Sequence, residues 1–260
     1  LKTTNDKAKL ILTFHGGGHH RKFNETFHYE RMIANMTATW TKSQDDKEIQ
    51  LPANKFLNFK KKRKEYKYLS YVELRSGLFP SKFGDRQYIP ETNLKNIKHF
   101  ESLLEKKIFE NLIYLPFDNY NWGCVNSVKK IIKSNYIQEP ISLMKYLHKS
   151  KIVLCTYTET LLYEGIITGP TILLYNFSTD LIHERFEKIF KEMVKYKIIF
   201  SNPEEASLHI NDIWDNVDEW WNSKNVKNTI NEFMQQTCMT SDNSIKIWSD
   251  FFKEQLKKNI

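Results

Sequence analysis

The sequence has 260 residues, of which 40% are hydrophobic and 14% aromatic; this excludes a disordered chain and allows a substantial core in one large domain or two smaller ones. No apolar run approaches the roughly 18 to 20 residues of a membrane-spanning helix, and the N-terminus lacks the pattern of a signal peptide. The formal net charge of +8 at pH 7 predicts affinity for anions.

The cysteines and the basic residues indicate the compartment and the partners. Cys124, Cys155 and Cys238 are far apart and form no C-x-x-C pair, which favours a reducing compartment and predicts a cytoplasmic protein. The basic cluster at 60–67 is typical of a solvated loop, but it would also suit peripheral contact with phosphate or with the inner face of a membrane. No zinc-finger, RNA-binding or helix-turn-helix pattern stands out, so we expect no nucleic-acid partner.

Predicted strands and helices alternate along the chain. Strand patterns cover residues 9–15, 36–40, 66–74, 111–117, 151–158, 171–176 and 197–200, and helix patterns cover residues 25–35, 93–109, 140–150, 159–169 and 180–195. A last helix begins at the sequence SNPEEA (201–206), in which Ser201 or Asn202 caps and Pro203 takes the first turn. The lysine-rich stretch 41–65 is the predicted linker. This order predicts an α/β fold, a Rossmann-like parallel sheet with helices on both faces.

Ligands of such folds bind beyond the carboxyl ends of the strands, so the residues at those ends are the candidates for a site. They fall into four groups along the chain. They are His15 with Gly16, Gly17 and Gly18; the loop 116–122 with Asp118 and Trp122; Thr156, Thr158 and Thr160 with Glu164; and Asn176.

The segment CTYTETLLYEG (155–165) passes directly from a strand into a helix. Free backbone N–H groups, threonine hydroxyls and the positive end of the helix dipole together favour phosphate binding by Thr158 and Thr160. Glu164 lies one helical turn after Thr160, so its carboxylate could accept hydrogen bonds from a ribose or sugar diol near that phosphate. The alternative is structural, with Thr158 as an N-cap and Glu164 as a solvated helix residue.

Three glycines follow His15 at the end of the first predicted strand. They let the backbone approach a ligand closely, and His15 would serve as a general base in the same cleft. An esterase oxyanion hole also contains HGGG, but it needs a G-x-S-x-G nucleophile elbow, which this sequence lacks. Two further interpretations stay open, a glycine-rich turn with exposed histidines and a metal site formed by His15, His19, His20 and His28.

Aromatic residues mark two further segments. In LPFDNYNWG (115–123), Trp122 would stack on a base or sugar and Asp118 would hydrogen-bond its hydroxyls, or Trp122 is a hydrophobic plug that anchors the loop. Trp214, Trp220 and Trp221 lie in a predicted C-terminal helical region, where core packing is favoured over an acceptor platform.

Four ordered blocks carry a resemblance to a known family. They are HGGG (15–18) with the following acid-rich helix start and TATWTKS, then LPFDNYNWG, then KIVLCTYTETLLYEGIITGPTILLYN, then PEEASLHINDIWDNVDEWWNSKNVKNTINEF. From about Leu10 onward, the chain resembles the C-terminal part of a family of bacterial transferases from surface-carbohydrate gene clusters. That family is distantly similar to CDP-glycerol glycerophosphotransferases and to GT-B-like glycosyltransferases with two facing Rossmann-like domains. It usually has an aromatic residue and a glycine where this chain has His19 and His20.

The resemblance implies a domain division and a reaction. Residues 1–50 would be the end of an N-terminal domain that carries the glycine loop, and residues 51–260 a GT-B-like domain that binds the donor. Because the chain starts at Leu1 and enters a strand at once, we expect an N-terminal part to precede it. The donor would be a nucleotide-activated sugar or polyol and the acceptor a saccharide or a lipid-linked molecule. His15 would be the base, and Thr158, Thr160 and Glu164 would hold phosphate and ribose, with neither a metal nor a cofactor.

A different class of function stays open at this point. A basic Rossmann-like chain could bind a nucleotide-sugar, or dock on a partner, without turnover. His15 discriminates between the two, because only an enzyme needs a base at that position.

Overall fold

A computed structural model describes residues 9–20, 25–57, 66–74, 90–117, 143–175 and 182–257, with the short pieces 129–130, 132–133 and 135–136. Its strands form two parallel sheets. The first has the order β1-β2-β3, from β1 (Ile11–Thr13), β2 (Met36–Thr39) and β3 (Glu48–Gln50). The second has the order β6-β5-β4-β7-β8-β9, from β4 (Tyr68–Leu74), β5 (Leu112–Phe117), β6 (Asn135–Tyr136), β7 (Ser150–Cys155), β8 (Thr171–Leu174) and β9 (Ile199–Phe200).

The helices connect and follow these strands. They are α1 (Glu25–Ile33), α2 (Pro90–Leu103), α3 (Lys106–Phe109), α4 (Leu143–Leu147), α5 (Thr160–Thr168), α6 (Glu184–Lys195), α7 (Pro203–Ile213), α8 (Val217–Asn222), α9 (Lys224–Thr237) and α10 (Ser244–Lys257). Within the ranges that the structure describes, no helix is both long and apolar enough to cross a bilayer.

The strand order of the second sheet is the doubly wound Rossmann order, and it reverses between β4 and β7. In β4, β5, β7, β8 and β9, alternate residues enter two different buried clusters, one on each face of the sheet. Val72 and Val153 pack with α5, α6 and α9, whereas Tyr71 and Leu154 pack with α2 and α7. The predicted parallel sheet with helices on both faces is therefore confirmed.

Two parts of the sequence prediction are wrong in detail. The predicted linker 41–65 contains β3, which pattern analysis misses because a strand of three residues that begins with an acid has no hydrophobic period. The helix predicted over 93–109 is two helices, because Glu105 leaves the helical conformation at ψ 146°. The Asn211 side chain stabilises this break by accepting from the Glu105 N–H at 3.0 Å and donating to the Leu103 carbonyl at 2.8 Å.

The cap predicted for the helix after β9 can be tested by mutation. Asn202 Oδ1 accepts a hydrogen bond from the Glu205 N–H at 2.8 Å, and Pro203 opens the helix. We expect Asn202→Ala to lower the free energy of unfolding by about 1 kcal/mol, because a helix N–H loses its partner. Urea unfolding measures this, with Ser201→Ala as the matched control next to the cap. An unchanged midpoint for Asn202→Ala would contradict the capping role.

The two sheets share part of their core. Phe14 and Trp40, which follow β1 and β2, belong to the same buried cluster as α5 and α6. On the other side, Phe251 of α10 packs against Ala38 and Leu51 of the first sheet region. The Trp248 indole N–H also donates to the Pro52 carbonyl at 2.9 Å. The last helix of the chain therefore covers the first sheet.

Candidate functional site

The glycine loop lies with its backbone directly against the start of α5. The Gly17 N–H donates to Thr160 Oγ1 at 3.0 Å. A Cβ atom added at Gly17 would lie 2.7 Å from the Glu159 carbonyl carbon and 2.7 Å from the Thr160 nitrogen, so no side chain fits there. Gly18 has a φ of +93°, a conformation that favours glycine. Two of the three glycines are thus required by a close approach and by a turn.

This contact joins two sites that the sequence predicted separately. It places the carboxyl end of β1, with an exposed His15, beside the first residues of α5. Because α5 follows β7 at the point where the strand order of the second sheet reverses, the junction is also where Rossmann-like folds bind ligands. His15, Gly16, Gly17, Gly18 and Thr160 are therefore brought together.

Thr158 has a buried hydroxyl without a hydrogen-bond partner among the described residues. The residue is fully buried, and its Oγ1 has no hydrogen bond within the described part of the chain. The N-cap of α5 is Glu159, whose side chain makes no capping bond, so the structural alternative of Thr158 as the N-cap is wrong. A buried, unpartnered hydroxyl costs free energy unless it meets a ligand or a water. The start of α5 therefore offers a hydroxyl as well as helix N–H groups.

Thr156 has a different role from Thr158. Its N–H and its hydroxyl both donate to the Val72 carbonyl, at 3.2 and 3.3 Å. These bonds tie the loop after β7 to the carboxyl end of β4. They fix the backbone from which Thr158 and α5 start, so Thr156 shapes the junction through its own strand contacts.

Glu164 is not a solvated helix residue. Its side chain is 13% exposed, and its Oε1 lies 3.6 Å from Lys55 Nζ. Burial raises the pKa of the Glu164 carboxyl, and the ammonium of Lys55 opposes this rise. The structural alternative for Glu164 is thus wrong, and a carboxylate stands one turn along α5 from Thr160.

The histidines that follow the glycines are packing residues. The His19 ring stacks on Phe14 with centroids 3.3 Å apart, and burial lowers the pKa of His19 to about 3, so its ring is neutral at neutral pH. His20 is fully buried near Phe190, and its carbonyl accepts from the His183 N–H at 2.8 Å. The alternative of a turn with exposed histidines is wrong for both. No group of three potential metal ligands lies together among the residues that the structure describes.

Three predicted residues cannot be placed, and two were missed. Asp118, Trp122 and Asn176 lie outside the described residues. Glu73, 2% exposed near the end of β4, is a buried acid beside the junction; its sequence signal is a single acid in the apolar strand YLSYVEL. Lys55 carries no such signal, because nothing in a polar segment indicates a partner far along the chain. Trp214 and Trp220 pack in the core, as predicted.

Comparison with known proteins decides the family. The sequence model of the LIC12162 family transferases matches residues 2–252. The chain belongs to this family. The resemblance seen in the sequence is thereby confirmed. No curated protein sequence matches it significantly.

Solved structures show which fold the LIC12162 family chain shares. One is a Listeria monocytogenes protein assigned provisionally as a UDP-N-acetylglucosamine 2-epimerase, with a TM-score of 0.55 and 12% identity over 93% of this chain and 65% of that one. Another is the wall teichoic acid polymerase TagF, with a TM-score of 0.51 and 9% identity over 95% of this chain and 68% of that one. The chain thus spans about two thirds of each, and these GT-B-type neighbours confirm the GT-B-like fold.

Proposed function

We propose that this chain carries the donor site and the base of a transferase for bacterial surface polysaccharides. It would move a sugar or polyol-phosphate group from a nucleotide-activated donor to a hydroxyl of a saccharide or lipid-linked acceptor. The observation that carries the proposal is the backbone contact of the glycine loop with the start of α5. The family and the fold of TagF support it, because they indicate a transferase with a GT-B-like architecture.

The donor diphosphate lies against the first turn of α5. Helix N–H groups and the helix dipole favour an anion at this end. The buried Thr158 hydroxyl has a free hydrogen to donate, and Thr160 keeps its own proton while its oxygen accepts from Gly17. The positive charge at this site comes from the backbone and from lysine side chains.

Glu164 recognises the hydroxyls next to the diphosphate. Its carboxylate lies one helical turn from Thr160. A ribose or polyol attached to a phosphate at Thr160 would therefore be within its reach. Ionised carboxylates accept strong hydrogen bonds from hydroxyls, and partial burial strengthens them. Glu164 would thus read the ribose of the nucleotide or the diol of the transferred group.

His15 takes the proton of the acceptor hydroxyl. Imidazole is the side chain best suited to accept a proton near neutral pH. The acceptor oxygen then forms a bond to the sugar carbon as the bond to the diphosphate breaks, and a nucleoside diphosphate leaves. In polyol-phosphate transfer, the same oxygen attacks phosphorus, and a nucleoside monophosphate leaves. Chromatography of the released nucleotide distinguishes the two reactions.

A thermal-shift screen tests the donor site. We expect one of CDP, CMP, UDP, GDP and their sugar or polyol conjugates to raise the melting temperature, because a ligand that binds only the folded state stabilises it. Glu164→Ala should abolish the shift caused by that nucleotide. The matched control is Glu187→Ala, which removes another helix carboxylate paired with a lysine, Lys191, at 3.3 Å. A wild-type chain that no nucleotide stabilises would contradict the proposed donor site.

A further inference from the structure

We propose that Lys55 is the side chain that neutralises the donor diphosphate, held in place by Glu164. The inference rests on the proposed function, since it assigns a residue to the diphosphate expected at the start of α5. It adds a contact between the diphosphate and a residue outside α5, because Lys55 lies in the segment between β3 and β4.

The backbone around Lys55 is fixed in position. Lys55 lies in a short 3-10 helix (Asn54–Phe56), and the Phe56 N–H closes this turn by donating to the Ala53 carbonyl at 3.0 Å. The Ala53 N–H donates to the carbonyl of Met239, two residues after α9, at 2.8 Å, which ties the turn to the segment after that helix. The buried Phe56 ring lies 5.7 Å from that of Trp40, between centroids. The stem of Lys55 thus starts from a rigid point beside the core.

The ammonium of Lys55 lies within reach of the proposed phosphate position. Its Nζ is 3.6 Å from Glu164 Oε1. Thr160 lies on the same face of α5 as Glu164 and is one turn closer to the start of the helix. Side chains one turn apart are about 5 to 6 Å from each other. A lysine side chain can therefore contact an anion at Thr160 while it stays near Glu164.

The two partners of the ion pair differ in exposure. The Lys55 side chain is 47% exposed and that of Glu164 only 13%, so the carboxylate is enclosed and the ammonium faces outward. An ammonium has three donors, so Lys55 can donate to an anion while it stays paired with Glu164. Ion pairs with an exposed partner contribute little to folding stability. The arrangement suits a cation that is oriented before an anionic ligand arrives.

Binding measurements with paired ligands test this role. CDP, UDP and GDP are each compared with their nucleosides against wild type, Lys55→Met and Lys55→Arg. We expect Lys55→Met to weaken diphosphate binding by about 10- to 100-fold, the loss of one charge-assisted hydrogen bond. Nucleoside binding should stay unchanged, the salt dependence of diphosphate binding should fall, and Lys55→Arg should restore most of the affinity.

A surface lysine provides the matched control. Lys106→Met removes a lysine that also lies near a glutamate, Glu110, at 3.9 Å, but on α3. It should bind the diphosphate like wild type. The role of Lys55 would be overturned if Lys55→Met weakened diphosphate and nucleoside binding equally, or if it weakened neither. The donor site would still be supported in that case by nucleotide binding to the wild-type chain. Failure of the wild-type chain to bind any of the three diphosphates would overturn both.

Discussion

Replacing His15 with alanine is expected to lower kcat for transfer by about 10²- to 10⁴-fold, the usual contribution of a positioned general base. Donor binding should persist, because Thr158, Thr160 and Glu164 lie on another part of the chain. The initial rate of nucleotide release in the presence of acceptor measures the first effect. The nucleotide-induced thermal shift measures the second.

The matched control for this experiment is another exposed histidine of the same region. His28 lies on α1, and His28→Ala should transfer at the wild-type rate. If His15→Ala also transfers at that rate, His15 is not the base. If wild type binds a nucleotide-sugar but shows no transfer with any acceptor, the chain acts as a binding module instead.

Gly17→Ala is expected to disrupt the contact between the glycine loop and the start of α5. A methyl group there would lie 2.7 Å from two backbone atoms at the start of α5, and backbone cannot turn away as a side chain can. We expect a loss of about 1 to 3 kcal/mol in the free energy of unfolding, the usual cost of overpacking. The Gly17 to Thr160 hydrogen bond should break, and donor binding should weaken with it. Denaturant unfolding and the nucleotide screen report these two effects.

Gly16→Ala is the control that distinguishes overpacking at Gly17 from a loop that tolerates no alanine at all. A Cβ at Gly16 would meet Thr160 Oγ1 at 3.3 Å, a side-chain atom that can rotate. Gly16→Ala should therefore cost less stability than Gly17→Ala. Equal stability of Gly17→Ala and wild type would show that the loop and α5 do not touch as described.

Local sequence signals predicted the parts of the fold in which each segment carries its own signal. The run KIVLCTYT marks β7, and Gly169 and Pro170 mark the end of α5 and the approach to β8. The carboxyl-end rule also selected His15 and the threonines as candidates, and the structure brings His15 and Thr160 to the same junction. These predictions needed only short windows of sequence.

Pairings between distant segments were beyond such reasoning. The Thr160 hydroxyl oxygen accepts a hydrogen bond from Gly17, and Glu164 is paired with Lys55. Gly17 and Lys55 are far from α5 along the chain, so the sequence around α5 does not indicate either partner. His19 is similar, because its burial follows from the rings of Phe14 and Phe27, which only the folded chain brings around it. Propensity and spacing describe neighbours along the chain, whereas these environments are set by tertiary packing.

The return of α10 to the first sheet affects how the protein is made. The strands β1, β2 and β3 are synthesised before α10, but Ala38 and Leu51 are covered by Phe251, near the middle of α10. The nascent first sheet therefore exposes this apolar surface until the last helix has left the exit tunnel. The last strand that the structure describes in the second sheet ends at residue 200, so this sheet can close earlier. Among the described elements, the first sheet is thus covered only after the second sheet has all of its described strands.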